Sequence, residues 1–246
     1  EDPGETSKNL IANGGFEEAI NPHSTEPSIH GMEKVRLARV RNFFDKTSQI
    51  TFPTFSAPVE IPDNVWFHRT SNNNRWFLFN YIEEKDAAST KSKEIPNSGE
   101  KSLALYYAFG EQKINTNDFL MSLAQRVQLD DTKKYNFKFF VQRDETVWGT
   151  GDGNKNYAEK INIGIISSND DGKDYTYYTT FDLPKNGDWT EVNVTIDLPQ
   201  IISNNKGKSF NNSAVFISLV PTQFNEKGQL LKHQVNIDDV SLTEMN

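Results

Sequence analysis

From residue 101 onward, apolar side chains recur at every second position. Leu103, Leu105, Tyr107 and Phe109 share one parity, as do Tyr135, Phe137, Phe139 and Val141, and then Ile161, Ile163 and Ile165. Val192, Val194, Ile196 and Leu198 repeat the pattern, followed by Val215, Ile217 and Leu219 and by Val235 and Ile237. A period of two sends alternate residues to opposite faces of a strand, whereas a helix gathers positions three and four apart. Runs of this kind separated by turn residues predict an all-β fold, an antiparallel β-sandwich. The connections agree: Asn169-Asp-Asp-Gly172 reads as a hairpin link, and Lys185-Asn-Gly-Asp188 introduces a further strand. With only 11 Ala the chain is poorly supplied for helices. Its 17 Phe, 8 Tyr and 4 Trp supply a core in an otherwise polar sequence of mean hydropathy −0.67.

The first hundred residues are less regular. Asn9 to Glu18 reads as a strand kinked at Gly14-Gly15, and Pro22, Pro27, Pro53, Pro58 and Pro62 interrupt any long element after it. Met32 to Phe44 mixes apolar residues with Lys34, Arg36, Arg39 and Arg41, which reads as the solvated face of a short element or a patch for an acidic glycan. No internal repeat or long linker divides the chain, so residues 1–246 are expected to form one domain with an enlarged N-terminal insertion at about 20–98.

Several functions are excluded early. No apolar run approaches the length of about 18 residues that spans a membrane, and the absence of Cys removes thiol catalysis, thiolate metal sites and disulfides. A net charge of −8 argues against nucleic acid, whose binding rests on Lys and Arg neutralising phosphates. The opening Glu-Asp-Pro-Gly, without Met, reads as a processed start after a removed export signal. Catalytic signatures are lacking: His23, His30, His68 and His233 are scattered, and no nucleophile elbow of the G-x-S-x-G type occurs. Adjacent carboxylates such as Glu83-Glu84, Asp130-Asp131 and Asp144-Glu145 diverge if they lie in strands, unlike the facing pair that glycoside hydrolysis requires.

The segment Asn9-Leu-Ile-Ala-Asn-Gly-Gly-Phe-Glu17 resembles the opening strand of the family 4/9/22 carbohydrate-binding modules, N-L-(I/V)-x-N-G-x-F-E. Further segments follow in the family's order. Gly99-Glu-Lys-Ser-Leu-Ala-Leu105 is similar to its G-x-x-S-L-x-L strand. Ala124-Gln-Arg-Val-Gln-Leu129 with Lys134-Tyr-Asn-Phe-Lys-Phe139 is similar to its Q-x-V-x-L and Y-x-F-x-F pair. Asp188-Trp-Thr-Glu-Val192 and Ile237-Asp-Asp-Val-Ser-Leu242 are similar to a W-x-x-V strand start and to the closing strand. The ordered set implies a galactose-binding-like jelly roll that binds oligo- or polysaccharide without catalysis, as an exported, stand-alone component of a bacterial polysaccharide-utilisation system. Residues 20–98 are longer than the family's counterpart.

The resemblance also implies a structural calcium ion held by Glu17 and Asp238, because the first and last strands of a jelly roll lie side by side. Such an ion takes about six to eight oxygen ligands. The alternative is that Glu17 is a surface charge and Asp238 a bulge residue bonded to backbone. For the sugar, strand parity offers Tyr106, Phe140, Gln142, Tyr178 and Phe216 as outward positions if Leu105, Phe139, Ile163 and Ile217 face the core. Aromatic rings stack on the C–H faces of sugars, and Gln142 and Arg143 supply hydrogen bonds to hydroxyls. A ring burying about 100 Å² at about 25 cal/mol/Å² contributes roughly 2.5 kcal/mol. Trp148, in the glycine-rich Glu145-Thr-Val-Trp-Gly-Thr-Gly-Asp-Gly-Asn154, and Trp76 complete the candidate ligand set. Trp66 and Trp189 read as core or edge packing, and Trp66, Phe67, Trp76, Phe77 and Phe79 could instead cover the outward face. Two other functions remain open: a cell-surface structural or protein-interaction module, and a glycan-active hydrolase with an unrecognised carboxylate pair.

Overall fold

The computed structural model describes residues 7–17, 37–39, 50–53, 58–60, 66–68, 76–80, 88–93, 97–100, 102–107, 121–146, 155–168, 174–204, 209–211 and 213–246. The elements in chain order begin with β1 (Leu37–Arg39), β2 (Ile50–Pro53), β3 (Pro58–Glu60), β4 (Trp66–His68), β5 (Trp76–Asn80) and β6 (Ala88–Lys93). They continue with β7 (Ser102–Tyr107), β8 (Met121–Val127), β9 (Lys134–Gln142), β10 (Lys160–Ser168), β11 (Asp174–Asp182) and β12 (Thr190–Asp197). A short helix α1 (Leu198–Asn204) precedes β13 (Ser213–Leu219) and β14 (His233–Met245).

The strands form two sheets, one of nine strands in the order β1-β4-β5-β8-β13-β10-β11-β2-β3 and one of five in the order β12-β9-β14-β7-β6. Every pairing is antiparallel except β11 with β2. The all-β sandwich expected from period-two alternation is the observed fold, with jelly-roll, galactose-binding-like topology. Leu103, Leu105, Phe137, Phe139, Val141, Ile161, Ile163, Ile165, Val215, Ile217, Leu219, Val235 and Ile237 all lie in the buried core between the sheets. β4 and β5 lie within the nine-stranded sheet beside β8, so they extend it sideways.

Two local expectations change. Leu198 continues the alternation of β12 but opens α1 instead, because Asp197 caps the helix: its Oδ1 accepts the Gln200 N–H at 3.1 Å, and Pro199 is tolerated in a first turn. Residues 9–17 form no regular ladder strand. They lie along β14 through Leu10 N–H to Leu242 O (2.8 Å) and Val240 N–H to Gly14 O (2.9 Å), and side chains supply further bonds. Asn9 Oδ1 accepts the Leu242 N–H at 3.0 Å, and the Gln125 amide both donates to Ala12 O and accepts from its N–H. Asn13 and Phe16 adopt positive φ (50° and 55°), which breaks the extended path.

Candidate functional site

Cross-strand register assigns each outward position to one of two outer faces. On the nine-stranded sheet, Ser122, Ser218, Asn162 and Thr180 form one row, and Ala124, Phe216, Gly164 and Tyr178 the next. The polar members satisfy one another: Ser122 Oγ donates to Ser218 Oγ (2.9 Å) and Thr180 Oγ1 to Asn162 Oδ1 (2.6 Å). This face is closed at its centre. Phe216 is 1% exposed, and Ser122, Ala124, Asn162, Ala214 and Ser218 are buried, while Tyr178, Thr180 and Asp182 on β11, Lys160 on β10 and Arg126 on β8 reach solvent.

On the five-stranded sheet the rows are Glu191–Phe140–Asp238 and Gln142–Asn236–Ala104, with Gln234 opposite Tyr106. Where β7 meets the first part of β14 this face is also closed, since Ser102, Ala104, Gln234, Asn236 and Asp238 are buried; past the bulge Ser241 and Thr243 are half-buried and Met245 is exposed. Toward the edge it opens. Asn136, Lys138, Phe140 and Gln142 of β9 are half-buried, and Glu191, Asn193 and Thr195 of β12 are exposed.

The outward row expected from parity is therefore split. Tyr106, Phe140 and Gln142 belong to the five-stranded face, while Tyr178 and Phe216 lie on the opposite side of the sandwich. Trp76 pairs with Gln125, in the row next to the one containing Ala124 and Phe216. Trp148 falls outside the described residues; Thr146 and Lys155, the described residues that flank it in sequence, form an antiparallel bridge.

Gln142 and Arg143 have protein partners. Gln142 donates to Gly187 O (2.9 Å) and accepts from Asn236 Nδ2 (3.1 Å). Arg143 donates from Nε to Ala158 O (2.5 Å) and from Nη2 to Asn156 O (2.6 Å). Between them stands Asn156, buried and saturated. It donates to Asp144 O and Gln234 O and accepts from the N–H groups of Ala158 and Gln234.

Trp189, read from the sequence as core or edge packing, stands immediately before the edge strand β12. It is half-buried and absent from the side chains that pack on the sandwich core. Thr190 pairs with Val141, so Trp189 continues the outward set 191, 193 and 195 and comes level with Gln142. Its indole N–H is buried and has no hydrogen-bond partner among the described residues.

Glu17 and Asp238 both reach the turn at residues 97–100. Asp238 Oδ2 accepts the N–H groups of Asn97 (2.8 Å) and Ser98 (3.1 Å), and Oδ1 accepts that of Asp239 (2.8 Å). Glu17 Oε1 accepts the Glu100 N–H at 2.9 Å. Asp239, in the left-handed region at φ 50°, grips the same turn through Asn97 Nδ2 and Ser98 Oγ. Burial pushes the Asp238 carboxyl up to about 6, against the lowering effect of its N–H donors. Asp238 sits at a register shift and bonds to backbone, as the alternative reading supposed. An all-oxygen donor set suits a hard cation chemically. Here those oxygens point at turn donors, and among the described residues no three acidic or imidazole groups gather closely enough to hold an ion.

No family model matches the chain, and no curated protein matches it in sequence. Solved structures match in fold. A candidate sugar-binding protein from Bacteroides thetaiotaomicron VPI-5482 is 15% identical, with a TM-score of 0.51 over 97% of this chain and 100% of its own. A CBM4 module is 16% identical over 69% of this chain and 86% of its own, with a TM-score of 0.43. The CBM22-1 xylan-binding domain of Paenibacillus barcinonensis Xyn10C is 7% identical over 70% and 86%, with a TM-score of 0.42. The likeness to carbohydrate-binding module folds is distant and recurrent, and at these identities it is a likeness of fold. Among the described residues no helix is long and apolar enough to cross a membrane.

Proposed function

We propose that this chain binds oligo- or polysaccharide without catalysis, as an exported or cell-surface module of one domain with its insertion at about 20–98. One observation carries the reading. On a sandwich whose likeness to a candidate sugar-binding protein runs end to end, Phe140 stands half-buried outside the core on the open strip of the five-stranded face. Lys138 and Asn136 on its own strand and Glu191 directly opposite offer donors and acceptors for hydroxyls. One or two stacked rings with a few hydrogen bonds give dissociation constants of order µM to mM. Trp148, Tyr106 and Trp76 remain candidate contacts, Tyr178 would be one only for a ligand on the nine-stranded face instead, and Gln142 and Arg143 hold neighbouring segments in place. A glycan array followed by calorimetry on Phe140→Ala and Trp148→Ala tests it. Binding that weakens in either variant supports the reading, and silence across plant, host and microbial glycans defeats it.

Structural calcium at Glu17 and Asp238 belongs to the same proposal, supported by their shared approach to the 97–100 turn. At free calcium of about 100 times its dissociation constant the ion adds about 2.7 kcal/mol. A chelator then lowers Tm and Glu17→Ala removes that sensitivity; identical melts with and without chelator end the calcium reading. A second function, a cell-surface structural or protein-interaction module, is favoured by the closed centre of the nine-stranded face.

A further inference from the structure

We propose that the sugar-contacting surface of this protein is the β9–β12 strip of the five-stranded sheet, with Trp189 as its principal ring. The proposal deepens the carbohydrate-binding reading and rests on it. Two alternatives on the sheet faces are closed by packing. The centre of the nine-stranded outer face is filled by Phe216 and by Ser and Asn side chains already bonded to each other. The part of the five-stranded face formed by Ser102 and Ala104 of β7 and by Gln234, Asn236 and Asp238 of β14 is buried as well. What remains open runs from Trp189 and Gln142 through Phe140 and Glu191 to Lys138 and Asn193, and past the bulge it is joined by Ser241 and Thr243 of β14 beside Lys138 and Asn136.

Trp189 is built into this strip from both sides. The preceding turn, Lys185 to Asp188, is fixed by Gln142 Nε2 donating to Gly187 O and by Asn186 Oδ1 accepting the Asp188 N–H. The following strand is locked to β9 over its whole length. The ring neither joins the core nor satisfies its N–H, although buried indole N–H groups usually find a partner. A ring held this way has contact area to offer and a donor to satisfy.

The chemistry of the strip selects the occupant. Among the described residues the exposed large hydrophobics are Phe224, before β14, and Met245, at the far end of this face beside Lys134, so the strip itself lacks the apolar area that a stable protein interface needs. Asp188 and Glu191 against Lys138 leave it without the positive field that nucleic acid requires. Isolated half-buried rings among carboxylate, amide and ammonium groups match a neutral pyranose chain, C–H faces on the rings and hydroxyls on the polar neighbours. The strip is a sheet surface that ends at the β12 edge, so it fits a chain presented from outside, either soluble or at the surface of an insoluble polysaccharide.

The test uses the full chain against soluble β-linked oligosaccharides by calorimetry and against insoluble polysaccharides by depletion, with the glycan chosen from an array. Trp189→Ala is expected to weaken binding by about tenfold or more, and Glu191→Ala, at an exposed position that does not bear on folding, by about threefold. Tyr178→Ala on the opposite face is expected to leave it unchanged. Indole fluorescence should shift on titration of the wild type, and the shift should shrink in Trp189→Phe. Wild-type binding that survives both Trp189→Ala and Glu191→Ala, or that falls in Tyr178→Ala instead, overturns this assignment and leaves carbohydrate binding standing. A wild type that binds no glycan overturns both.

Discussion

Asn156→Ala is the sharpest test of how the sandwich ties the segment leaving β9 to the one entering β10. The side chain is buried and makes four hydrogen bonds: Nδ2 to Asp144 O (2.9 Å) and Gln234 O (2.8 Å), and Oδ1 from Ala158 N–H (3.0 Å) and Gln234 N–H (3.0 Å). It thus ties the end of β9 to the segment entering β10 and to the closing strand. Truncation removes all four at once and leaves two backbone N–H groups and two carbonyls without that partner. At about 1 kcal/mol for each lost bond, with a further penalty for groups that water cannot reach, the expected loss is about 4 kcal/mol. For a chain of this size that corresponds to a fall in Tm of about 8–16 °C. Asn156→Asp separates the donors from the acceptors, since a carboxylate still accepts from Ala158 and Gln234 but faces two carbonyls that it cannot satisfy. Urea unfolding followed by fluorescence measures both variants at constant m. A loss below about 1 kcal/mol in Asn156→Ala would refute the network as a structural tie.

Other outcomes follow from the same geometry. His233 is buried, and desolvation lowers its pKa from 6.5 to about 4. The neutral ring donates from Nδ1 to Leu231 O and accepts the Thr222 N–H at Nε2. Because the unfolded chain takes up the proton first, stability falls as pH drops from 6.5 toward 4, by roughly 3 kcal/mol in all. The raised pKa of Asp238 works in the opposite direction over part of this range. Urea melts at pH 7 and pH 4.5 should therefore be read as the difference between wild type and His233→Gln, and parallel pH profiles would discard the assignment. A Cβ on Gly14 would stand 2.0 Å from Val240 O, so Gly14→Ala should cost about 3 kcal/mol or more by displacing the N-terminal segment from β14. Gly187, at φ 76° in open space, should cost only about 1 kcal/mol as Ala. Equal melting of these two glycine variants would contradict the close approach at Val240.

The alternation of Tyr135, Phe137, Phe139 and Val141 was legible because each strand buries one face against the core, and that asymmetry is written locally. Which sheet a strand joins is not local. Phe140 and Tyr178 are both outward by parity, yet hydrogen bonding to partners distant in sequence puts them on opposite sides of the molecule. Phe216 shows the second limit: parity turned it outward, and packing buried it all the same. Polarity was ambiguous for a related reason. Gln142 and Arg143 looked suited to sugar hydroxyls, but their groups meet backbone carbonyls of segments more than ten residues away. At the N-terminal side, side-chain bonds from Asn9 and Gln125 do the pairing that a strand ladder would have done, and no periodicity announces that.

The most direct test of carbohydrate binding at the five-stranded face is amide chemical-shift mapping of the ¹⁵N-labelled chain titrated with a glycan that binds. The account predicts the largest shifts at residues 138–142 and 187–193, with little change at 122–126, 162–166 and 214–218. Shifts concentrated in those latter segments, on the nine-stranded sheet, would contradict it.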